Sequence, residues 1–390
     1  KITFEGTTDS ILIEDQFYYN SLGYQTQLAL DRRIEAIFLS IGNALSWLDI
    51  QRETILTYTT DADDLTYGFG TSDDLFASQG DDTLIGFDGG DNYYFEIGSG
   101  KDTIEDKSGY PETFISGLVG YSWGADDVLY FGEGITPNDV VFSRRGEAPD
   151  LEITLKNSDD SITIVDQFEA IKLDLFNTLG IAWLDRIEKF VFTDGTVLTW
   201  NAIFQKMITG TPGNDSLYGI ITPDTLDGGA GNDYLSGSDS GDTYRFGRGY
   251  GRDAIEDNQT NVLLTTPDRV VFNSDILPAD TFFSRLGNSD NVLVSLKNSS
   301  DTLTLVGQYT IVETGPFGSQ GFDRIESFQW SDGTTKSWDT ISQEIVAAAK
   351  TNGNDFIFGT HFNDTIDGGL GRDYLSGGNG ADTYIYNPGY

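Results

Sequence analysis

The chain has 390 residues, 23 Lys+Arg against 62 Asp+Glu, a formal net charge of -39, no Cys and a single His. That inventory excludes disulfides and thiolate metal sites, makes a His-based zinc centre or a His general base very hard to build, and opposes binding to nucleic acid or anionic membranes. At 38% hydrophobic and 13% aromatic the chain can still fill cores, while no apolar run reaches the ~20 residues of a bilayer span and Lys1-Ile2-Thr3-Phe4 does not read as a signal peptide.

In chain order, residues 1–58 read as a truncated β module. Its opening, KITFEGTTDSILIEDQF, is a shortened copy of a pattern met twice more, and Ile34 stands thirteen residues before Trp47, an interval that also recurs. Residues 59–106 form a ladder of aspartates at Asp64, Asp73, Asp82 and Asp91, nine residues apart. The connector 107–126 holds Gly120-Tyr121-Ser122-Trp123-Gly124, a nucleophile-elbow string. That elbow needs a strand–turn–helix setting and a His partner. The one His, His361, sits in a distant ladder turn, so no hydrolase site is expected and the chain reads as non-enzymatic.

Residues 127–208 are a β module. Leu151, Ile153 and Leu155 alternate with polar residues, as do Ile162 and Ile164 beyond the Asn157–Asp160 turn, the period-2 signature of a hairpin. Asp194-Gly195 marks a second hairpin turn, and WNAIFQKMI reads as a short helix. A second ladder, 209–257, has Asp215, Asp224, Asp233 and Asp242, with Leu217, Leu226, Leu235 and Tyr244 two residues after each. After the connector 258–267 comes a second full module, 268–350, with NVLVSLKNSSDTLTLVGQY, the turn Asp332-Gly333 and the helix WDTISQEIVAAAK. The last ladder, 351–390, has Asp355, Asp364, Asp373 and Asp382. Module plus ladder spans about 140–150 residues, and both chain ends cut through a unit, so a fragment of a longer tandem array is expected. The modules are expected to hold small cores of their own, with tryptophans as plugs.

A nine-residue unit with turn glycines, one Asp and one apolar residue makes half a turn of a coil, with the apolar side chain inward. Residues eighteen apart then stack, placing Asp215 near Asp233 and Asp224 near Asp242. Parallel strands lie ~4.8 Å apart, so such carboxylates repel unless a cation lies between successive turns. Ca²⁺ suits the position, since it accepts six to eight oxygens in flexible geometry, whereas Mg²⁺ demands a tight octahedron and keeps its water.

The motif G-G-x-G-x-D-x-(apolar)-x, nearly intact at Gly228–Ser236 and Gly368–Ser376, is similar to the RTX (hemolysin-type) calcium-binding nonapeptide, and 130–200 and 268–338 resemble the hemolysin-type calcium-binding-related domain that often accompanies it. The resemblance implies a mainly β protein, with tandem parallel β-roll blocks alternating with small hairpin-rich modules that carry a short helix. It also implies export by a type I secretion system and folding outside the cell. The ligands carried over are Asp64, Asp73, Asp82, Asp91, Asp215, Asp224, Asp233, Asp242, Asp355, Asp364, Asp373 and Asp382, with turn positions Gly228, Gly229, Gly231, Gly368, Gly369 and Gly371. Ala62, Thr71 and Ala77 replace turn glycines and Thr66 an apolar residue in the first ladder, which implies weaker or empty sites there. His361 and Phe362 occupy turn positions in the last. Asp102 and Asp253 are candidate extra ligands, eleven rather than nine residues after the preceding ladder Asp.

Two Ca²⁺ per ladder, roughly six in all, are expected from the two stacked pairs in each. The middle ladder should bind best, with Asp233 its most sensitive position. The expected function is that of a calcium-binding extracellular, bacterial, adhesin-like or surface-layer-like structural segment, or else of the non-catalytic region of a large RTX toxin or secreted enzyme. Calcium, the secretion apparatus, and a cell surface or a second copy are the expected partners; nucleic acid and a membrane span are not.

Overall fold

In the computed structural model of the chain, the described residues are 2–3, 10–11, 36–38, 44–106, 126–172, 181–183, 186–257, 266–285, 287–310, 312–313, 319–320 and 324–386. The elbow string at 120–124 lies outside them. Two compact units divide the chain: residues 1–172 with 181–203, and residues 173–180 with 204–390. The division falls inside the helix Trp200–Met207.

Both units are mainly β, and each nine-residue repeat contributes one short strand. In the first unit Leu65–Tyr67 pairs in parallel with Thr83–Ile85, with Leu65 opposite Thr83, and Asp74–Ala77 pairs in parallel with Asn92–Phe95, with Asp74 opposite Asn92. Partners are eighteen residues apart, so the repeats wind into a two-sheet parallel β-roll. In the second unit Ser216 lies opposite Tyr234 and Thr225 opposite Thr243, and in the last ladder Phe356 opposite Tyr374 and Thr365 opposite Thr383. The apolar residues of the repeats point between the sheets: Leu75, Leu84, Tyr93, Leu226, Leu235 and Tyr244 are all buried, whereas Tyr384 in the last repeat is exposed. Thr66 keeps that inward place although it is polar, and its hydroxyl is buried without a hydrogen-bond partner.

The 127–208 and 268–350 stretches, expected to hold cores of their own, instead extend the two sheets of the roll. In the first unit Lys101–Glu105 pairs in parallel with Ser161–Ile164, and the antiparallel strands Leu151–Leu155 and Val140–Ser143 then complete that sheet. On the other side Val128–Phe131 joins Asn92–Phe95 in parallel, followed by Lys189–Val191 and the antiparallel Val197–Thr199. The second unit repeats the arrangement strand for strand. The physical reason is edge closure. A roll leaves the backbone groups of its last turn unpaired on both sheets, and the module supplies the missing partners.

The predicted hairpins are present: Leu151–Leu155 with Ser161–Ile164, and Lys189–Val191 with Val197–Thr199, the latter turning at Gly195 with φ of +86°. A helix that was not expected, α1 Trp47–Tyr58, precedes the first ladder, and the two expected ones are present as α2 Trp200–Met207 and α3 Trp338–Ala348. Ser46 and Asp49 cap α1 reciprocally, and Ser337 caps α3. Val346 of α3 packs on Ile357 and Ile366, which plugs the open base of the last ladder. Buried Gln167 clamps Ile187 through both its carbonyl and its N–H (2.9 Å each), and Gln308 does the same to Ile325. These amides tie the end of one sheet to the start of the next strand in the other. Trp330 and Trp338 are buried plugs, whereas Trp200 is partly exposed beneath the Arg186 guanidinium, 4.2 Å from its ring centre.

Candidate metal centres in the roll turns

Every ladder aspartate lies at the end of a turn, just before its strand, and those eighteen apart meet. The N–H of Asp64 donates to Asp82 Oδ1 (2.9 Å), Asp73 to Asp91 (2.8 Å), Asp215 to Asp233 (2.9 Å), Asp224 to Asp242 (2.7 Å), Asp355 to Asp373 (3.0 Å) and Asp364 to Asp382 (3.0 Å). Two carboxylate columns therefore rise along each roll, one per side. The first column continues through the candidates Asp102 and Asp253, whose Oδ1 accepts the N–H of Asp82 (2.9 Å) and Asp233 (3.0 Å). The two extra residues that shift their spacing form a turn whose glycine N–H groups are taken by Asp160 (Gly98 and Gly100) or Asp301 (Gly249 and Gly251).

The second oxygen of each carboxylate separates the ladder aspartates into two kinds. At Asp64, Asp73, Asp82, Asp215, Asp224, Asp355 and Asp364 the backbone N–H four residues earlier donates to Oδ2, at 2.6–2.9 Å. These turns cap themselves. At Asp91, Asp233, Asp242, Asp373 and Asp382 the residue four earlier has a left-handed backbone: Phe87 (+69°), Gly229 (+76°), Ser238 (+72°), Gly369 (+79°) and Gly378 (+87°). No such N–H bond forms there, and Oδ2 of Asp91, Asp233 and Asp242 is buried without a hydrogen-bond partner. Glycine is the natural residue for that conformation, but Phe87 and Ser238 adopt it as well, at a strain of roughly 1–2 kcal/mol each.

These oxygens lie in an unfavourable setting for a bare charge. Asp91 and Asp242 are 0% exposed, and Asp233 is 2% exposed, though carboxylates are rarely buried unpaired. Burial pushes the Asp91 carboxyl up to about 9 and that of Asp242 up to about 10, with neighbouring carboxylates adding to it. Asp73, Asp102 and Asp253 are pushed up to about 7, again chiefly by burial.

The donors fit a hard cation. In the cradle around Gly231, a Cβ would stand 2.2 Å from the Gly213 carbonyl oxygen of the preceding turn and 2.7 Å from Asp233 Oδ1. A Cβ on Gly237 would lie 2.2 Å from Asp242 Oδ2. Bare glycine thus keeps a carboxylate and a carbonyl of adjacent turns facing one another. Oxygen is the only donor type in these cradles, the set that Ca²⁺ accepts. Gly228 and Gly368 hold the equivalent place beside Asp233 and Asp373, Gly229 and Gly369 carry the left-handed turn, and Gly231 and Gly371 back onto the preceding turn's Gly213 and Gly353 carbonyls. In the last ladder His361 Nε2 lies 2.5 Å from the Tyr309 carbonyl oxygen and Arg324 lies over Phe362, so both unusual turn residues contact the preceding module.

Sequence reasoning missed Asp106, Asp127, Asp257 and Asp268, all buried beside the last turn of a ladder. Asp127 Oδ1 accepts the Asp91 N–H and Asp268 Oδ1 that of Asp242, both at 2.6 Å, so they continue the second column. Glu188 and Glu326 end it by accepting the N–H of Asp127 (2.9 Å) and Asp268 (2.8 Å). The signal was there in part: the strings KDTIED and RDAIED each end on one of these residues.

Residues 67–104, 222–252 and 351–384 match the RTX calcium-binding nonapeptide repeat (4 copies), and 150–202 match the haemolysin-type calcium binding protein related domain. Over 139 residues, 35% of the chain, the sequence is 28% identical to the iron-regulated protein FrpA of Neisseria meningitidis serogroup C, and it spans 10% of that protein. A solved structure, the extracellular lipase LipA from Serratia marcescens, is similar at 15% identity and a TM-score of 0.18, over 68% of this chain and 38% of that one.

Proposed function

Since the chain carries RTX hemolysin-type calcium-binding repeats and a haemolysin-type calcium-binding-related domain, we propose that it is a structural segment of a long secreted bacterial protein, folded and stiffened by extracellular calcium. The observation that carries this reading is the set of five open turns. Their Asp91, Asp233, Asp242, Asp373 and Asp382 present an oxygen that the left-handed backbone denies its N–H donor. Calcium goes to these turns first, while the seven self-capped aspartates serve mainly as Oδ1 or N–H partners in the columns. This replaces an even share of two ions per ladder by one open turn in the first ladder and two in each of the others.

Calcium concentration then sets where the chain folds. Extracellular calcium modules have dissociation constants of roughly 10⁻⁴–10⁻³ M, far above cytosolic calcium. Inside the cell, stacked aspartates and a net charge of -39 keep the ladders expanded, a state suited to export through a type I channel. Outside, calcium neutralises the columns, and the residual negative charge opposes non-specific collapse into aggregates. An adhesin-like or surface-layer-like role suits a segment built of stacked calcium-binding repeats. A second reading is the non-catalytic region of a larger toxin or secreted enzyme. The test is a calcium titration that follows circular dichroism and hydrodynamic radius together. Folding and compaction should share a midpoint between about 10⁻⁴ and 10⁻³ M; compaction already complete at micromolar calcium would defeat the proposal.

A further inference from the structure

The turn that ends each complete ladder differs from the turns below it. Tyr67 lies opposite Ile85 and Ile85 opposite Glu105, so Gly68, Gly86 and Asp106 follow at one stacked position. In the second unit the same register carries Gly219, Gly237 and Asp257. The repeats keep glycine here because a side chain would strike the neighbouring turn, yet the final turn places a carboxylate. One carboxylate oxygen each of Asp91, Asp106 and Asp127 lie within 4.8 Å of one another, and so do those of Asp242, Asp257 and Asp268. A Cβ on Gly86 would lie 2.4 Å from Asp91 Oδ2, 3.0 Å from Asp106 Oδ1 and 2.1 Å from the Tyr93 hydroxyl oxygen, so these oxygens converge on one point. Tyr93 donates to Asp106 at 3.1 Å, and Tyr244 to Asp257 at 2.6 Å.

A cluster of carboxylates alone would not make a site. The independent observation is the fully buried Oδ2 of Asp91 in one triad and of Asp242 in the other, each residue 0% exposed and that oxygen without a hydrogen-bond partner. The same constellation also forms twice across connectors of unequal length, since Asp127 follows Asp106 by 21 residues and Asp268 follows Asp257 by 11. Two connectors of different length that return an aspartate to the same place have a common requirement, and it is a charge requirement.

We infer that each complete roll is closed by a tri-carboxylate Ca²⁺ site, Asp91–Asp106–Asp127 in the first unit and Asp242–Asp257–Asp268 in the second, which pins the module to the end of the ladder. The inference deepens the calcium reading of the open turns. It adds four ligands that the nonapeptide motif does not contain. Three carboxylates give more charge than the one or two of an ordinary turn, and their burial excludes water, so this ion is held more tightly and exchanges more slowly than those at Asp233, Asp373 and Asp382. It also holds Asp106 beside Asp127 and Asp257 beside Asp268, so that losing it removes a cross-link as well as a charge.

The deciding measurement is long-wavelength anomalous diffraction from crystals of the full chain grown in Ca²⁺. Calcium peaks inside both triads are expected. Peaks at Asp233, Asp373 and Asp382 with none in the triads would overturn this inference and leave the calcium reading of the turns standing. Peaks in the triads alone would uphold the inference and defeat that wider reading. In solution, equilibrium dialysis against Ca²⁺ should show one ion fewer for Asp106→Asn and for Asp257→Asn, and two fewer for the double variant. Stepwise EGTA addition to the wild-type chain should remove the triad ions last. An unchanged count in folded variants would overturn the inference, and if a variant does not fold the wild-type diffraction decides.

Discussion

Asp160 and Asp91 both belong to the end of one roll, each just before a strand of a different sheet, and they solve burial in opposite ways. Asp160 accepts the N–H of Gly98 (2.8 Å) and Gly100 (3.1 Å), and although burial opposes its charge, these bonds and that from Ser158 hold its carboxyl below the usual range. Asp91 is buried among carboxylates with one oxygen unpartnered, and is pushed up to about 9. Asp301 and Asp242 repeat the contrast in the second unit. A buried carboxylate given enough N–H donors is stable as an anion, whereas one deprived of them needs a proton or a cation. On the proposed reading, the roll would therefore depend on calcium at its donor-poor turns and not at the others.

The largest effect should come from removing the cation altogether. EGTA should abolish the ladder β-signal in circular dichroism, with millimolar Ca²⁺ restoring it. Because the modules share sheets with the ladders, their strands should loosen with them. Hydrogen exchange measured residue by residue would break the comparison if the open turns stayed protected in EGTA while the self-capped ones did not.

Next in size is the glycine cradle. Gly237→Ala would place a Cβ 2.2 Å from Asp242 Oδ2 and 2.5 Å from the Tyr244 hydroxyl oxygen. Overpacking of this kind costs about 1–3 kcal/mol, with loss of the ion in addition, so a raised calcium midpoint is expected in the same titration. Asp242→Asn should raise that midpoint by about tenfold or more, which corresponds to ~1.4 kcal/mol, and by more than Asp233→Asn, in contrast to the sequence-based ranking. Asp224→Asn, on a self-capped turn, should lower stability in calcium and in EGTA by similar amounts. Equal calcium dependence for Asp224→Asn and Asp242→Asn would erase the distinction between the two kinds of turn.

Acid should partly replace calcium. Without metal, Asp91 and Asp242 keep their protons up to about 9 and about 10 in the fold, while an unfolded Asp releases its proton near ~3.9. Between those values the folded chain binds more protons than the unfolded one, so unfolding free energy falls as pH rises. The stabilisation is full below about pH 4 and is lost as pH climbs through the folded values. In EGTA, residual structure should be greater at pH 5 than at pH 8. With calcium the trend reverses, because the ion competes with those protons. A metal-free protein more stable at pH 8 than at pH 5 would contradict the buried, donor-poor setting of these groups.

The smallest effect tests the left-handed residues. Ser238 holds φ of +72°, so Ser238→Gly should relieve about 1 kcal/mol of strain in the calcium-loaded protein, read as a raised thermal midpoint. A lowered midpoint would mean that the Ser238 side chain contributes more than its backbone costs.

Much of this was legible in the sequence. The nine-residue period set the parallel register, because an apolar residue must return inward every half-turn, and Leu217 opposite Leu235 is what that period requires. Alternation at Leu151, Ile153 and Leu155, and Asp-Gly at 194–195, located hairpins, since both signals are local. The pairing of Asp215 with Asp233 followed from the same coil geometry. Only the tertiary structure decided which turns are open, because a left-handed Phe87 or Ser238 carries no sequence mark. It alone joined Val128–Phe131 to Asn92–Phe95, since pairing across a connector is a long-range choice driven by the unpaired edge of the last turn. Asp106, Asp127, Asp257 and Asp268 became ligand candidates for the same reason. Local periodicity places a residue on a face, but three carboxylates within 4.8 Å are assembled by chain segments that only the closed fold brings together.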